Sequence, residues 1–253
     1  MHVVIKRSGN IGASPEAARK AAQEVADVRD YLGDKGGLTL MPGGGAGGRG
    51  REFMAAGMDP IYADTLGRLA TLQNGIILSD QLERAGVRTR LLTAPTVRYS
   101  DTNGIGDLGV CTPESLQECH EDYVVPIVVF GTGKNNQSTD TASIEIADDY
   151  QRAFGIESRV MKAMEHNGVF AEDPARNPNA HRFSIISAEI VAADPALAAV
   201  VDPRCLGAIM NTGIEMQLFD NNTHTMLEAL QQPERIGTII TPLGGIMEPP
   251  IRL

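Results

Sequence analysis

The stretch Leu40-Met-Pro-Gly-Gly-Gly-Ala-Gly-Gly-Arg-Gly-Arg51 concentrates the residue types that bind oxyanions. Six of the eight residues from Gly43 to Gly50 are glycine, so the backbone is free to adopt positive φ and to approach a ligand closely. Backbone N–H groups exposed in this way beside a helix start form an anion site, and Arg49 and Arg51 add forked, permanently charged donors. A glycine run can also be a plain linker. Here it lies between a short apolar, strand-like run and a long helical pattern, with two arginines embedded in it, which points to phosphate or another oxyanion.

Two further places carry related chemistry. Lys6 ends the β-branched run that starts at His2, and Ser8-Gly9 follows at once. That offers a cation and free amides at the carboxyl edge of a strand, where open α/β sheets place their ligands. On local grounds alone, the plainer reading is a solvated lysine at a strand end. The second place is the exit of Val124–Phe130, a continuous apolar run of the parallel-sheet kind. It empties into Gly131-Thr-Gly-Lys-Asn-Asn-Gln-Ser-Thr-Asp140, with Thr139 and Asp140 opening a helix that runs through Tyr150.

The elements that must position these residues are legible in the periodicity. Ser14 and Pro15 read as N-cap and first position of a helix to about Leu32, with Ala18, Ala21, Ala22, Val25 and Val28 as its buried stripe. Pro60 to Ala85 carries a strong helical pattern with Asp64 near its start. Thr89–Leu92 reads as a strand that Val97 continues outward, and Ser100–Glu121 as an extended acidic loop with one short helix after Thr112-Pro113. Val160–Ala163, Ile214–Phe219 and Gly237–Thr241 read as strands, Ile190–Val201 and Met226–Leu230 as helices. Strands alternating with helices predict an α/β fold, a mostly parallel central sheet covered on both faces as a three-layer αβα sandwich, in one domain of residues 1–253.

Composition narrows the partners. A net charge of −10 and an isoelectric point near 5.0 argue against nucleic acid, whose phosphate backbone requires a basic face. A local Gly/Arg pocket still admits a small anion. Cys111, Cys119 and Cys205 include no CxxC pair, and their odd number fits a reduced compartment. No signal peptide or membrane-spanning run is evident, so no membrane is expected and the cytoplasm is the default.

The order of these segments resembles a known family. Val3-Val-Ile-Lys6-Arg-Ser8-Gly9, Gly43-Gly-Gly with Arg49-Gly50, Ala63-Asp64-Thr-Leu-Gly67-Arg-Leu-Ala-Thr71, Gly131-Thr-Gly133 with Ser138-Thr139-Asp140-Thr141, and Asn167-Gly-Val-Phe170-Ala-Glu-Asp173-Pro174 resemble the bacterial UMP kinases of the amino acid kinase superfamily, over nearly the whole chain. The resemblance implies the amino acid kinase fold, with an acceptor-binding half of about residues 1–150 and an ATP-binding half of about 151–253. It implies ATP-dependent phosphoryl transfer to a nucleoside monophosphate, ATP and Mg²⁺ as cofactors, and a homo-hexamer built from dimers.

By the same resemblance, Lys6 holds the transferred phosphoryl group, while Ser8 and Gly9 give amides to the ATP phosphates. Gly44, Gly45 and Arg49 cradle the acceptor phosphate, and Gly45 is assigned to ATP as well. Arg49 and Lys6 then approach from opposite ends of the transfer axis. Asp64 accepts hydroxyl hydrogens from the acceptor ribose, and Thr132, Gly133, Lys134 and Thr139 line its base. Asp140 organises Lys6 or a Mg²⁺ ion, and Met164, Phe170 and Asp173 sit on the nucleotide of ATP. The chain departs from the family pattern at Asn10, at Ala46, at Lys134-Asn-Asn-Gln137 and at Met164-Glu-His-Asn167. Amides and a cation where the family has aromatic walls would favour an acceptor smaller or more polar than UMP. Alternatives on the same scaffold are an ATP-binding molybdate/tungstate storage protein and a kinase for a small phosphonate or carboxylic acid.

Other polar residues are expected to be ordinary. His120, in Cys119-His-Glu-Asp122, reads as solvated loop rather than metal ligand, since no second pair stands at ligand spacing. His181 and His224 read as surface, Met161 and Met164 as core, and Asp148-Asp149 as an exposed helix face; His166 falls in the turn expected beside ATP.

Overall fold

A computed structural model describes residues 1–7, 9–45, 50–94, 108–131, 133, 137–164, 166–177, 179–198 and 200–244. The chain opens with β1 (His2–Arg7), α1 (Pro15–Leu32), β2 (Gly37–Pro42) and α2 (Gly50–Ala55). Then come α3 (Pro60–Arg84), β3 (Thr89–Thr93), β4 (Gly109–Val110), α4 (Pro113–Glu121), β5 (Val125–Val129) and α5 (Thr139–Phe154). The second half holds β6 (Ser158–Met164), β7 (Ile185–Ser187), α6 (Ala188–Ala193), α7 (Pro195–Ala198), α8 (Pro203–Thr212), β8 (Met216–Asp220), α9 (Met226–Gln231) and β9 (Thr238–Thr241).

Among the described residues, nine strands join one sheet in the order β4-β3-β5-β2-β1-β6-β8-β9-β7. Every pairing is parallel except β8 with β9. Side chains alternate along a strand, and β1 shows the result. Val3 and Ile5 enter one buried cluster with α1, α3 and α9, whereas Val4 enters another with α4, α5, α6, α7 and α8. The three-layer αβα sandwich with a mostly parallel sheet is therefore borne out. None of the described helices is long and apolar enough to cross a membrane.

Helix starts follow cap chemistry. Ser14 accepts the Ala17 N–H ahead of α1, with Pro15 in the first turn, and Ser138 accepts the Thr141 N–H ahead of α5; each satisfies a donor the helix leaves unpaired. Two glycines set close approaches. A Cβ on Gly75 would lie 2.6 Å from Val129 Cγ1, so α3 rests directly on β5, and one on Gly50 would lie 2.1 Å from the Ala63 carbonyl, where α2 crosses α3.

Several expectations are corrected. Within Ser100–Glu121 the expected short helix after Thr112-Pro113 is present as α4, capped by Thr112 in a capping box, but Gly109–Val110 is strand β4 rather than loop. The apolar run Ile190–Val201 is not one helix, because Asp194-Pro195 stops α6 and starts α7; proline lacks the N–H a continuing helix needs. β7, α2 and α8 had no counterpart in the sequence reading. Val97 lies outside the described residues.

Candidate functional site

Parallel strands carry their loops out at one edge, and there the charged residues converge. Lys6 lies near the end of β1 and Lys162 near the end of β6, and the two occupy paired register positions. Asp140 stands in the first turn of α5, where the helix dipole favours a negative charge. Its carboxylate joins the two lysines: Lys6 Nζ is 2.9 Å from Oδ1, and Lys162 Nζ donates to Oδ2 at 2.6 Å. Lys162 also donates to the Val200 carbonyl at 3.1 Å. Relative exposures of 9%, 7% and 8% for Lys6, Asp140 and Lys162 place the group beneath the surface, where pairing decides whether charge survives.

Burial alone would raise the Asp140 carboxyl pKa, but the Lys6 and Lys162 ammonium groups outweigh it and hold the carboxyl well below the usual carboxylate range. Two ammonium groups against one carboxylate leave a positive excess beside the first turn of a helix. Such a place attracts a multiply charged oxyanion.

The acceptor-side residues are arranged around α3. Gly44 and Gly45 follow β2, and Gly45 takes φ +68°. Asp64 is partly buried and pairs with Arg68 at 2.6 Å one turn along α3. On the β5 side, Phe130, Gly131 and Gly133 all have positive φ (65°, 60° and 71°), and Thr139 starts α5.

On the opposite side, Met164 ends β6 and its carbonyl accepts the Asn221 N–H at 3.4 Å. Phe170 forms an isolated antiparallel bridge with Arg182. Asp173 is exposed and caps its own turn, accepting the Ala175 N–H at 2.9 Å and lying 3.4 Å from Arg176. Asp140 thus lies against Lys6, Asp64 against Arg68, and Asp173 within its own turn. Gly9 lies in a short 3₁₀ turn after β1. Ser8, Arg49, Thr132 and Lys134 lie outside the described residues.

Asp140 does not present the donor set of a Mg²⁺ ligand, because each of its oxygens already faces an ammonium group. Among the described residues no three His, Cys, Asp or Glu side chains converge on a common point. The carboxylate bridges the two lysines.

Sequence reading missed Lys162. Its signal was a lysine inside the apolar run Val160-Met-Lys-Ala163, which a buried strand tolerates only with a partner. His120 was also misjudged. It lies on α4, with Nδ1 3.2 Å from the Tyr150 hydroxyl and Nε2 3.4 Å from Thr39 Oγ1. Thr39 in turn lies 2.9 Å from Nε2 of the fully buried His2. Asp148 is buried and paired with Arg152 at 2.8 Å, not exposed. Met161 is core as expected, Met164 is only partly buried, and all three cysteines are buried and free.

Two buried ammonium groups are fixed on one carboxylate where the parallel strands end, a charge arrangement of the kind that suits an oxyanion. The comparisons agree in kind. Residues 1–220 match the model of the amino acid kinase family, and the chain belongs to that family. It is 30% identical over 237 residues to a uridylate kinase of Legionella pneumophila, covering 90% of this chain and 86% of that one. It is 31% identical over 255 residues to a uridylate kinase of Colwellia psychrerythraea, covering 94% and 93%. Among solved structures, a UMP kinase from Bacillus anthracis superposes with a TM-score of 0.79 at 20% identity, covering 96% of each chain. An aspartate kinase from Synechocystis gives a TM-score of 0.71 at 14% identity, covering 97% of this chain and 40% of that one.

Proposed function

We propose that this protein transfers a phosphoryl group from ATP to a small phosphorylated acceptor of the nucleoside monophosphate class. The observation that carries the reading is the Lys6–Asp140–Lys162 group. Phosphoryl transfer demands little covalent chemistry of a protein; it demands that charged reactants be held in line and that charge developing on the transferred group be met by fixed cations. Lys6 and Lys162 supply such cations, and Asp140 holds both ammonium groups in place. Mg²⁺ would arrive with the ATP phosphates and neutralise part of their charge, held by phosphate oxygens and water rather than by Asp140.

In this reading the half of about residues 1–150 takes the acceptor, with Gly44, Gly45 and Arg49 at its phosphate and Asp64 at its ribose. The half of about 151–253 takes ATP, with Met164, Phe170 and Asp173 near the nucleotide. The uridylate kinase relatives make UMP the first acceptor to test. The protein would act as a homo-oligomer, hexameric in the form that the resemblance implies. Ile61, Tyr62, Leu66 and Leu69 on α3, with Phe53 and Met54 on α2, are exposed and supply apolar surface for contact between copies.

The test is ADP release from MgATP across UMP, CMP, dCMP, AMP, GMP and small phosphonates, with Lys6→Ala as control. Turnover on one acceptor, lost in the variant, establishes the kinase and its substrate. Turnover that persists in the variant removes Lys6 from the chemistry. Silence across the panel, with ATP still raising the melting temperature, replaces the reading with nucleotide binding without transfer.

A further inference from the structure

The turn after β5 is held in an uncommon conformation by a residue from another element. Phe130 has φ +65°, which L side chains other than Asn and Asp seldom adopt. Such a conformation persists only where the surroundings enforce it, and it often marks a functional loop. Here the enforcing contact is Thr71 on α3: the Phe130 N–H donates to Thr71 Oγ1 at 2.8 Å. The hydroxyl's own hydrogen goes to the Arg68 carbonyl at 2.7 Å. With its single hydrogen committed, the Thr71 oxygen presents a lone pair to the Phe130 N–H. Both residues are buried, so water does not replace the bond.

One turn further along the same helix, the buried Asn74 donates from Nδ2 to the Gly43 carbonyl at 2.7 Å. Gly43 begins the glycine loop and is also tied to β1, its N–H donating to the Arg7 carbonyl at 2.8 Å. The two loops leave neighbouring parallel strands, since β2 pairs with β5 through Leu40 and Ile127. Thr71 and Asn74 are three residues apart, hence on one face of α3 and about 4.5 Å apart along its axis. Gly75, next in sequence, seats the helix against Val129 with no room for a Cβ.

We infer that Thr71 and Asn74 are positioning residues that hold Phe130–Gly131 and Gly43–Gly45 in place from one face of α3, and so tune binding of the phosphorylated acceptor without touching it. The inference rests on the phosphoryl-transfer reading for what these segments bind, but not for how they are held. Thr71 bonds to Arg68 and Phe130 and Asn74 to Gly43, all on the acceptor side, so KM for ATP should move much less than KM for the acceptor.

The experiment compares wild type, Thr71→Val, Thr71→Ser and Asn74→Ala at a temperature where all four are folded, with UMP as acceptor probe and MgATP as donor. Thr71→Val keeps the side-chain shape and removes the oxygen; its KM for UMP should rise about tenfold with KM for ATP within about twofold. Thr71→Ser, which restores the oxygen, should return KM for UMP to near the wild-type value. Asn74→Ala should also raise KM for UMP selectively. Amide hydrogen exchange on the ligand-free proteins gives a second readout. Thr71→Val should lose protection at Phe130 while the centre of β5 keeps its own, and Asn74→Ala should lose protection at residues 43–45.

Unchanged KM values with unchanged exchange in both loops would overturn the inference, even if the variants melt earlier. Equal rises in both KM values would show general loosening and overturn it as well. If wild type turns over no acceptor, the phosphoryl-transfer reading falls by itself. The exchange data then still decide whether Thr71 and Asn74 hold the two loops.

Discussion

Lys6 and Lys162 sit side by side on adjacent parallel strands, at paired register positions, and share the carboxylate of Asp140. Neither lysine reaches solvent freely, and each depends on the same counter-charge.

Asp140→Asn keeps the size of the side chain and removes that charge. Breaking a buried pair on one side leaves ions uncompensated, at a cost of about 3–5 kcal/mol. Urea unfolding should report a loss of that order. Inorganic phosphate should recover part of it by supplying the missing negative charge. Because the native Asp140 pKa is depressed, its contribution is full above the unfolded carboxyl value near 3.9 and is lost as pH falls through the native value. The wild-type protein should therefore hold this part of its stability throughout the neutral range.

Lys162→Met separates chemistry from folding. Asp140 keeps Lys6 as a partner, and Met fills much of the same volume. Removing one fixed cation from a buried phosphoryl site should lower kcat about 10²–10³-fold, with melting shifted far less than in Asp140→Asn. Steady-state kinetics beside a thermal melt settles it; a kcat within about threefold of wild type would take Lys162 out of the transfer step.

The base of the sheet makes a separate pH prediction. Burial, aided by the neighbouring imidazole and the amino terminus, holds the His2 pKa well below its ordinary value. Burial pushes His120 down to about 4, against a backbone hydrogen bond to Leu38 that acts the other way. A histidine with a depressed native pKa contributes fully above its unfolded value near 6.5 and loses that contribution as pH falls toward the native value. Melting temperature should decline from about pH 6.5 toward 4, and His120→Gln should flatten part of that decline. An identical slope in the variant would mean that other groups govern the acid limb.

Gly50→Ala probes the α2–α3 crossing, where an added Cβ would overlap the Ala63 carbonyl. Overpacking of this kind costs about 1–3 kcal/mol. Gly207→Ala, a helical position with open space around it, should be neutral or slightly stabilising. A calorimetric comparison of the two checks the close approach itself.

Much of this arrangement is legible in the sequence. Ser14-Pro15 and Thr139-Asp140 mark the starts of their helices, Val124–Phe130 marks a central strand, and the resemblance sets Asp140 beside Lys6. Lys162 escaped because its partner lies 22 residues away; nothing local tells a paired buried lysine from a solvated one. His120 escaped for a related reason. Polar neighbours suggested a loop, whereas the helix turns Leu116 and Cys119 inward and carries the imidazole to the core edge. The α8 helix carries ordinary signals that the sequence reading did not use, with Asp202 as cap, Pro203 in the first turn and Gly213 in a left-handed C-cap. The break at Asp194-Pro195 was masked by the apolar residues on both sides.

The sheet order has a consequence for how copies of this protein can meet. Among the described residues its outer strands are β4, two residues long, and β7, three residues long. Stubs of that length offer almost no backbone ladder for a second sheet to extend. If copies associate, borders of this kind favour contact through helical surfaces, layer against layer, over growth by strand addition. An assembly made that way leaves every copy with its own unbroken sheet and its own complete set of buried charges.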